Sequence, residues 1–454
     1  MRCAPTVVTI FVMAANLLHG VLFPGIVQAD DWPQWMGPKR DSVWRETGIV
    51  DQFPEGGLEV RWRTPVELGY AGPAMAGGKV VLTDFVRDSG TIRNKPGGRD
   101  KLSGKERVLC FDAKSGDELW KHEYDCTYAV SYPSGPRCTP TIDGDLVYTL
   151  GTEGNLLCLR VADGDVVWEK DLTEVYGSET PIWGFAAHPL VDGDLLYCVV
   201  GGEGSVAVAF EKRTGREVWR QLSAPEPGYC PPTMIQHAGL KQLLIWHPTA
   251  VNSLNPITGE VYWSIPLRPD YAMSIAAPRK SGDFLFASGI GNVGAVMRLD
   301  DRRPAAEIVW RGKPKNAVYC ANSTPFIEGD VIYGVDCQTG ALIAVSLKDG
   351  ERLWETFQAT TGTRRAGHGT AFLIKHQDRF FLFSETGDLI LARLTPSGYK
   401  ELDRFHVLEP TSEAFGRDVV WSHPAFADRC VFARNDKELV CVNLAADQAR
   451  AADQ

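Results

Sequence analysis

Three histidines in this chain of 454 residues stand where a metal ion or an anion could be bound. His188 and His423 each directly precede a proline, and His368 lies in the comparable segment "RRAGHGT". Imidazole nitrogens are common metal ligands, and the adjacent Arg364 and Arg365 would attract an anion. The alternative interpretation is that the three histidines only form hydrogen bonds to neighbouring loops.

Aromatic residues in the same kind of segment could bind a ligand that contains a ring. Segments such as "SYPSGPRCTP", "PIWGFAAHP", "PGYCPP" and "VVWSHP" contain Tyr132, Trp183, Tyr229 and Trp421. Together they could form an aromatic rim for a sugar, a peptide or a quinone, or they could simply pack against one another. The sequence contains no HExxH, P-loop or GxSxG motif, so we predict no catalytic residue.

The segments recur because the chain is built from repeats. "PTIDGDLVY", "PLVDGDLLY" and "PFIEGDVIY" each lead to a later run, such as "LCFDAKSGDELW", that ends in Trp. Gly-containing turns between short apolar runs are typical of antiparallel hairpins. Four strands in a unit of 44 to 51 residues predict one blade of a β-propeller.

Counting the units predicts an all-β fold with eight four-stranded antiparallel blades over residues 58–446. The eighth unit stops after its third strand. The segment "GGLEVRWRTPV" supplies a strand that has no blade before it, so we predict that this N-terminal strand closes the ring. Trp62 should then face Cys441.

Seven tryptophans are predicted to fasten each blade to the next. In most repeats a small residue stands ten positions before the Trp, which places it opposite the indole across a hairpin. The indole can then cover the neighbouring blade and donate its N–H to a backbone carbonyl. These structural tryptophans are Trp62, Trp120, Trp168, Trp219, Trp263, Trp310 and Trp354.

The spaced pattern small-x-[DENRS]-x-x-x-G-x-x-x-W resembles the tryptophan-docking repeat of pyrroloquinoline quinone (PQQ)-like propellers. It occurs at residues 110–120, 158–168, 209–219, 253–263 and 344–354. The segment "DWPQWMGPKRDSVW" is similar to the opening of exported planctomycete members. The resemblance implies either a quinoprotein alcohol dehydrogenase or a partner-binding protein without catalysis. The second branch is similar to the B lipoprotein of the outer-membrane β-barrel assembly machinery.

The dehydrogenase branch usually carries adjacent cysteines beside the quinone, and no two cysteines are adjacent here. We therefore predict no cofactor, with PQQ and calcium as the alternative. The predicted function is non-catalytic binding or scaffolding, with envelope or extracellular proteins as partners and polysaccharide as a further candidate. The alternative function is a PQQ-dependent dehydrogenase-like oxidoreductase, or another enzyme that uses loops at the mouth of the central channel.

Residues 1–29 have the features of a signal peptide, with Arg2, an apolar stretch and the small residues Val27 and Ala29. We expect cleavage and export to the periplasm or the exterior, with retention as an anchor as the alternative.

The formal charge is −10 and would become −11 without Arg2. An acidic chain is unsuited to nucleic acid, and we expect a monomer. The predicted divisions after the leader are a lead segment (30–57), the propeller (58–446) and a tail (447–454).

Export also permits disulfides, and the candidate pairs are Cys320–Cys337 and Cys126–Cys138.

One insertion departs from the repeat. Residues 86–108 carry seven positive and three negative side chains in an otherwise acidic chain. This composition predicts a long solvated loop, or else a contact for an acidic partner or a polysaccharide.

Overall fold

The computed structural model describes residue 1 and residues 30–446, and these residues form β-structure almost throughout. Eight sheets have four antiparallel strands each, and one further sheet has two. The helices are α1 (Leu172–Tyr176) and a 3-10 turn at Asp270–Ala272. The predicted all-β class is therefore confirmed. The predicted signal peptide and tail lie outside the described residues. Within the described part of the chain, no helix is long and apolar enough to span a bilayer.

The strands follow one another in groups of four along the chain. The first strand, β1 (Val60–Pro65), belongs to the last sheet. Sheet 1 contains β2 (Ala74–Ala76), β3 (Lys79–Gly90), β4 (Asp100–Asp112) and β5 (Glu118–Val130). Sheet 2 contains β6 (Thr141–Asp143), β7 (Leu146–Leu150), β8 (Asn155–Arg160) and β9 (Val166–Asp171). Sheet 3 contains β10 (Leu190–Asp192), β11 (Leu195–Val199), β12 (Ala207–Glu211) and β13 (Glu217–Gln221). Sheet 4 contains β14 (Thr233–His237), β15 (Leu240–His247), β16 (Ala250–Leu254) and β17 (Val261–Pro266).

The second half of the chain continues the same order. Sheet 5 contains β18 (Arg279–Ser281), β19 (Phe284–Gly289), β20 (Val293–Leu299) and β21 (Ala306–Arg311). Sheet 6 contains β22 (Phe326–Glu328), β23 (Val331–Val335), β24 (Leu342–Ser346) and β25 (Arg352–Thr356). Sheet 7 contains β26 (Ala371–His376), β27 (Arg379–Ser384), β28 (Asp388–Thr395) and β29 (Gly398–His406). After the hairpin of β30 (Ser412–Ala414) and β31 (Arg417–Val419), sheet 8 contains β32 (Ala425–Ala427), β33 (Cys430–Arg434) and β34 (Glu438–Asn443).

The two ends of the chain share sheet 8. Strand β1 pairs antiparallel with β34, and Trp62 lies directly opposite Cys441, as predicted. The same opposition of a small residue and an indole recurs in the other sheets, for example between Cys110 and Trp120. A register shift follows each pair, because the strands bulge immediately beyond the large ring.

Six of the seven structural tryptophans connect one sheet to the next. Each donates its indole N–H to a backbone carbonyl in a turn of the following sheet, at 2.8–3.0 Å. Because a buried indole needs a hydrogen-bond acceptor, these carbonyls fix how neighbouring sheets meet. The donor–acceptor pairs are Trp62–Ala113, Trp120–Val161, Trp168–Lys212, Trp219–Pro256, Trp310–Leu347 and Trp354–Thr395.

The prediction of a carbonyl acceptor is wrong for Trp263. Its indole donates instead to the side-chain oxygen of Gln242, in strand β15 of its own sheet, at 3.2 Å. The cause lies in sheet 5, where the turn that should receive the ring reads "DDRRPAAE" and contains no glycine. At the equivalent place in sheet 4, a Cβ on Gly259 would lie 2.7 Å from Trp219.

Residues 31–46, which we call the central segment, lie along the beginnings of six sheets. Backbone bridges join Trp32 to Met75 in sheet 1 and Val43 to Lys375 in sheet 7. The segment therefore contacts sheets that are far apart along the chain. The remaining contacts are Pro33 with Ile142, Arg40 with Pro189, Arg279 with Arg40 and Asp41, and Trp44 with Phe426.

The basic insertion is not the long loop predicted from its composition. Strands β3 and β4 extend through most of it, β4 also pairs with β5 to make a three-stranded ribbon, and only residues 91–99 of the insertion form a loop. Alternating side chains explain the extension: Glu106 turns inward and accepts hydrogen bonds from Tyr128 and the Thr152 amide, while Lys105 pairs outward with Glu123.

The ten cysteines within residues 30–446 are all buried free thiols. Neither candidate disulfide is formed in the structure. Cys126 lies in strand β5 rather than in a connection, and Cys138 belongs to a different hydrophobic cluster, between sheets 2 and 3. Cys320 and Cys337 line neighbouring clusters. Most of the ten therefore behave as small core side chains.

Candidate ligand site

A cavity of about 550 Å³ opens where the chain enters the first strands of the sheets. Its size lies within the range of roughly 300–1,000 Å³ that is typical of small-molecule sites. Its lining is mainly apolar and aromatic, and we call it the aromatic cup. Its lining includes Trp35, Tyr70, Tyr132, Arg137, Trp183, His188, Tyr229, Tyr271, Asn322, His368, Phe415, Trp421 and His423.

Seven of the nine residues selected from the sequence line this cup. They are Tyr132, Trp183, His188, Tyr229, His368, Trp421 and His423. Arg364 and Arg365 do not line it, because the loop that carries them is exposed outside the rim. The geometry therefore brings the aromatic and histidine residues together, while the proposed anion contact from these two arginines is absent.

Trp35 of the central segment forms the floor of the cup. Its ring stacks on His188 with centroids 4.8 Å apart and planes at 15°. Its indole N–H donates to Nε2 of His423 at 3.1 Å. The Thr139 amide donates to Nδ1 of His188 at 2.9 Å. Each histidine therefore uses one ring nitrogen as an acceptor, which requires the neutral imidazole.

Burial keeps the three histidines of the cup neutral. It lowers the pKa of His423 to about 3, and it lowers the pKa of His188 well below its usual value, with His423 and Arg40 adding to the effect. The pKa of His368 falls to about 4 through burial and the charge of Arg417. Within the described residues, no three His, Cys, Asp or Glu side chains are grouped to hold a metal ion. The histidines thus serve as hydrogen-bonding and stacking surfaces.

The rim of the cup is held in an unusual backbone conformation. Tyr132, Tyr271, His368 and Phe415 all have φ between +51° and +57°, in the left-handed region. Bulky side chains rarely adopt this region, since it costs roughly 1–2 kcal/mol per residue. Such strain concentrates at functional sites, where the surrounding structure holds a side chain in a required place.

The hairpin of β30 and β31 supplies one wall. Phe415 at its tip stacks on His368 with centroids 4.8 Å apart and planes at 4°. Arg417 donates two hydrogen bonds to the buried carboxylate of Glu385, at 2.8 and 3.1 Å. Trp421 also donates to Glu385, at 3.3 Å. This network fixes the wall without placing a carboxylate in the cup.

Two arginines at the cup, Arg137 and Arg40, have no acidic partner among the described residues. Arg137 lines it, donates to the carbonyls of Ser131 and Tyr132 at 3.0 and 2.6 Å, and lies 5.4 Å from the ring centroid of Tyr70. Arg40 lies 5.3 Å from the centroid of Trp35 on the floor. Among the described residues, neither arginine has a carboxylate within 4 Å, and no Asp or Glu lines the cup.

This chemistry does not fit PQQ with calcium. A Ca²⁺ ion takes six to eight oxygen ligands and relies on carboxylates, which are missing from the described lining of the cup. The carboxylate of Glu385, which holds the hairpin wall, is already engaged by Arg417, Trp421 and the Thr370 amide. We therefore assign no reaction step to a quinone.

Several residues that were not predicted from the sequence complete the cup. Arg137 lies in the same loop as Tyr132, and Tyr70, Tyr271 and Asn322 lie in the equivalent loops of other repeats, so their position in the repeat could have identified them. Trp35 had no such signal, because the central segment stands outside the repeats.

Comparison with known proteins agrees with this architecture. The PQQ-like repeat family described as outer membrane protein assembly factor BamB matches residues 104–356 and 249–453. BamB of Shewanella oneidensis is 20% identical over 258 residues, which are 54% of this chain and 63% of that protein. The quinohemoprotein alcohol dehydrogenase ADH IIB of Pseudomonas putida is 24% identical over 168 residues, which are 35% of this chain and 22% of that enzyme. The chain thus covers less than two thirds of either relative.

Two solved structures share the fold. BamB from Moraxella catarrhalis aligns with a TM-score of 0.55 at 15% identity, covering 85% of this chain and 97% of that one. Quinohemoprotein alcohol dehydrogenase from Comamonas testosteroni aligns with a TM-score of 0.58 at 12% identity, covering 92% and 81%. At these identities the similarity establishes a PQQ-like β-propeller fold and leaves function to the site itself.

Proposed function

Because this chain belongs to the PQQ-like repeat family described as outer membrane protein assembly factor BamB, we propose that it is a non-catalytic binding and scaffolding protein of the cell envelope. The observation that carries the proposal is the aromatic cup. It offers stacking surfaces and neutral imidazoles, and its described lining contains neither a carboxylate nor a group of metal ligands. Such a site is suited to holding a partner and not to acid–base or metal catalysis.

We propose further that the eight sheets are the blades of one closed ring. Three observations support this arrangement. Both ends of the chain contribute to sheet 8. Trp62 of that sheet donates to Ala113 of sheet 1. The central segment touches the first strands of five sheets and, in a sixth, the residue directly before the first strand. Small-angle scattering of the purified protein tests this, since a closed ring predicts a compact particle and an open array of sheets an elongated one.

Export is part of the proposal. The leader at residues 1–29 has the composition of a signal peptide, and the family name refers to the outer membrane. We propose a protein of the periplasm or the exterior that acts as a monomer on envelope or extracellular partners. Fractionation of the native cells, with N-terminal sequencing of the mature chain, tests the compartment and the cleavage site together.

Partner capture tests the binding function. The tagged full chain is incubated with the native envelope fraction and compared with a rim variant, Tyr271→Ser with Phe415→Ser. A control variant, Leu119→Ser with Val309→Ser, alters exposed apolar side chains on outer strands. We expect a bound envelope component with the wild type and the control, and its loss with the rim variant. Equal recovery by all three chains, or no recovery by any, would contradict the proposal.

A further inference from the structure

The walls of the aromatic cup are shaped for a saturated ring. Trp183 and Tyr229 meet edge to face, with centroids 5.7 Å apart and planes at 73°. Tyr271 stands at the rim with 75% of its surface exposed. The face of an aromatic ring carries partial negative charge and attracts the weakly positive C–H groups on one face of a sugar ring. Tyr229 is itself buried, so the faces available to such a ring are those of the half-buried Trp183 and the exposed Tyr271.

The charge of the cup selects an anion. Arg137 has five N–H groups, of which three donate to the carbonyls of Gly135, Ser131 and Tyr132. The remaining N–H groups have no partner among the described residues, and no carboxylate lies within reach of this guanidinium. A ligand carboxylate would supply the missing acceptors.

Uncommitted polar groups in the lining favour a ligand rich in hydroxyls. The hydroxyl of Tyr132 is shielded from water and lacks a hydrogen-bond partner among the described residues. Asn322 makes only long contacts to His368, at 3.4 and 3.5 Å. Buried polar groups without partners cost stability, and a ligand hydroxyl that donates and accepts would satisfy them.

The loop of residues 91–99 favours an anionic polymer over a single small anion. Pro96 and Gly97 line the cup, so the loop forms part of its mouth. Arg93, Lys95 and Arg99 of the same loop are exposed. A row of positive side chains at the mouth of a site attracts a polyanion in a protein that is otherwise acidic.

We infer that the aromatic cup binds an acidic sugar, a uronic acid residue at the end of a polysaccharide chain, with its ring on the aromatic walls and its carboxylate on Arg137. This inference rests on the proposal that the cup is the binding site of the protein. The neighbouring sugar units of the polysaccharide would pass over the basic loop 91–99.

Titration calorimetry of the full chain with trigalacturonate, a linear trimer of a uronic acid, tests the inference. Maltotriose serves as the neutral trimer and benzoate as the aromatic carboxylate. We expect binding of trigalacturonate alone, weakening as salt is added. Arg137→Gln should weaken it at least about tenfold. Because Arg137 also holds loop carbonyls, the variant Arg93→Gln with Lys95→Gln provides a second measure, with an expected loss of about threefold. The control, Arg302→Gln with Lys348→Gln, alters exposed turns remote from the cup.

The inference is overturned if maltotriose binds with the same affinity as trigalacturonate, or if benzoate is the only ligand that binds. It is also overturned if Arg137→Gln and the variant Arg93→Gln with Lys95→Gln both bind trigalacturonate like the control, or if neither trimer binds. Failure here is separable from failure of the proposed function. If trigalacturonate does not bind while an envelope protein is still captured in a rim-dependent manner, the cup binds protein and only the sugar is rejected.

Discussion

Gly164 in sheet 2 lies against the indole of Trp120 in sheet 1, where an added Cβ would approach the ring to 2.4 Å. The contact repeats between Gly116 and Trp62 and between Gly215 and Trp168, at 2.7 Å in each case. The glycine of the repeat therefore has two functions: it permits the positive φ of its own turn, and it makes room for the tryptophan of the preceding sheet.

Replacing this glycine should cost more than replacing an ordinary turn glycine. Gly164 and Gly144 both have positive φ, of +79° and +61°, but a Cβ at Gly144 meets open space. We expect Gly164→Ala to lower the free energy of unfolding by about 1–3 kcal/mol more than Gly144→Ala, because only the first overpacks against an indole. Urea unfolding of the two variants measures the difference. Equal losses of unfolding free energy would mean that packing of the Trp120 indole does not require the absence of a side chain at Gly164.

The buried histidines should make stability fall in mild acid. His423 has a pKa of about 3 in the folded protein because burial disfavours its charged form, against 6.5 for the ordinary value. Below about pH 6.5 His423 becomes protonated in the unfolded chain but stays neutral in the folded protein. Each such histidine then lowers the free energy of unfolding by about 1.4 kcal/mol per pH unit.

The variant His423→Gln isolates this contribution. The amide oxygen of glutamine can still accept the N–H of Trp35, but the side chain does not titrate. Denaturant unfolding at pH 7, 6 and 5 should show a shallower decline for the variant than for the wild type. Parallel declines would show that His423 is protonated equally in the folded and unfolded chains.

Thiol chemistry should distinguish the folded from the unfolded chain. Burial raises the pKa of Cys110, Cys158 and Cys337 to about 12, so these thiols stay protonated at pH 8. We expect iodoacetamide to leave the folded protein unmodified at pH 8 and to alkylate all ten cysteines of residues 30–446 in denaturant without reductant. Mass spectrometry counts the additions. Eight instead of ten additions would reveal one disulfide, with Cys320–Cys337 the first pair to examine.

Calcium and PQQ should leave the protein unchanged. Since the described lining of the cup contains no carboxylate, we expect no shift in the melting temperature and no change in the absorbance of PQQ on mixing. Dye reduction with alcohols or sugars should remain at the level of a protein-free control. A stabilised melting transition with both additions, and not with calcium alone, would restore the dehydrogenase hypothesis.

The fold was largely predictable because its signals are periodic. The pairing of Trp62 with Cys441, across almost the whole chain, could be predicted because both positions repeat a pattern visible elsewhere. Where the pattern breaks, prediction failed. The acceptor of Trp263 is a glutamine of its own sheet, since the following turn lost its glycine and changed length.

The cup was predictable only in part, for a different physical reason. His188 and His423 could be placed together because each precedes a first strand, and the first strands begin side by side. Arg364 and Arg365 are in a loop whose direction no repeat dictates, and it carries them outside the rim. The basic insertion misled because its composition suggested a loop, whereas alternation of inward and outward side chains extends the strands.

The path of the central segment has a consequence for the order of events during biogenesis. Residues 31–46 precede every strand of the sheets, yet they contact strands as late as the one that contains Phe426, and β1 pairs with β34. Early parts of the chain must wait for the last ones, so closure of such distant contacts should be slow. These contacts can form only after the last strands have been synthesised, so we expect the nascent polypeptide to need protection from aggregation until then.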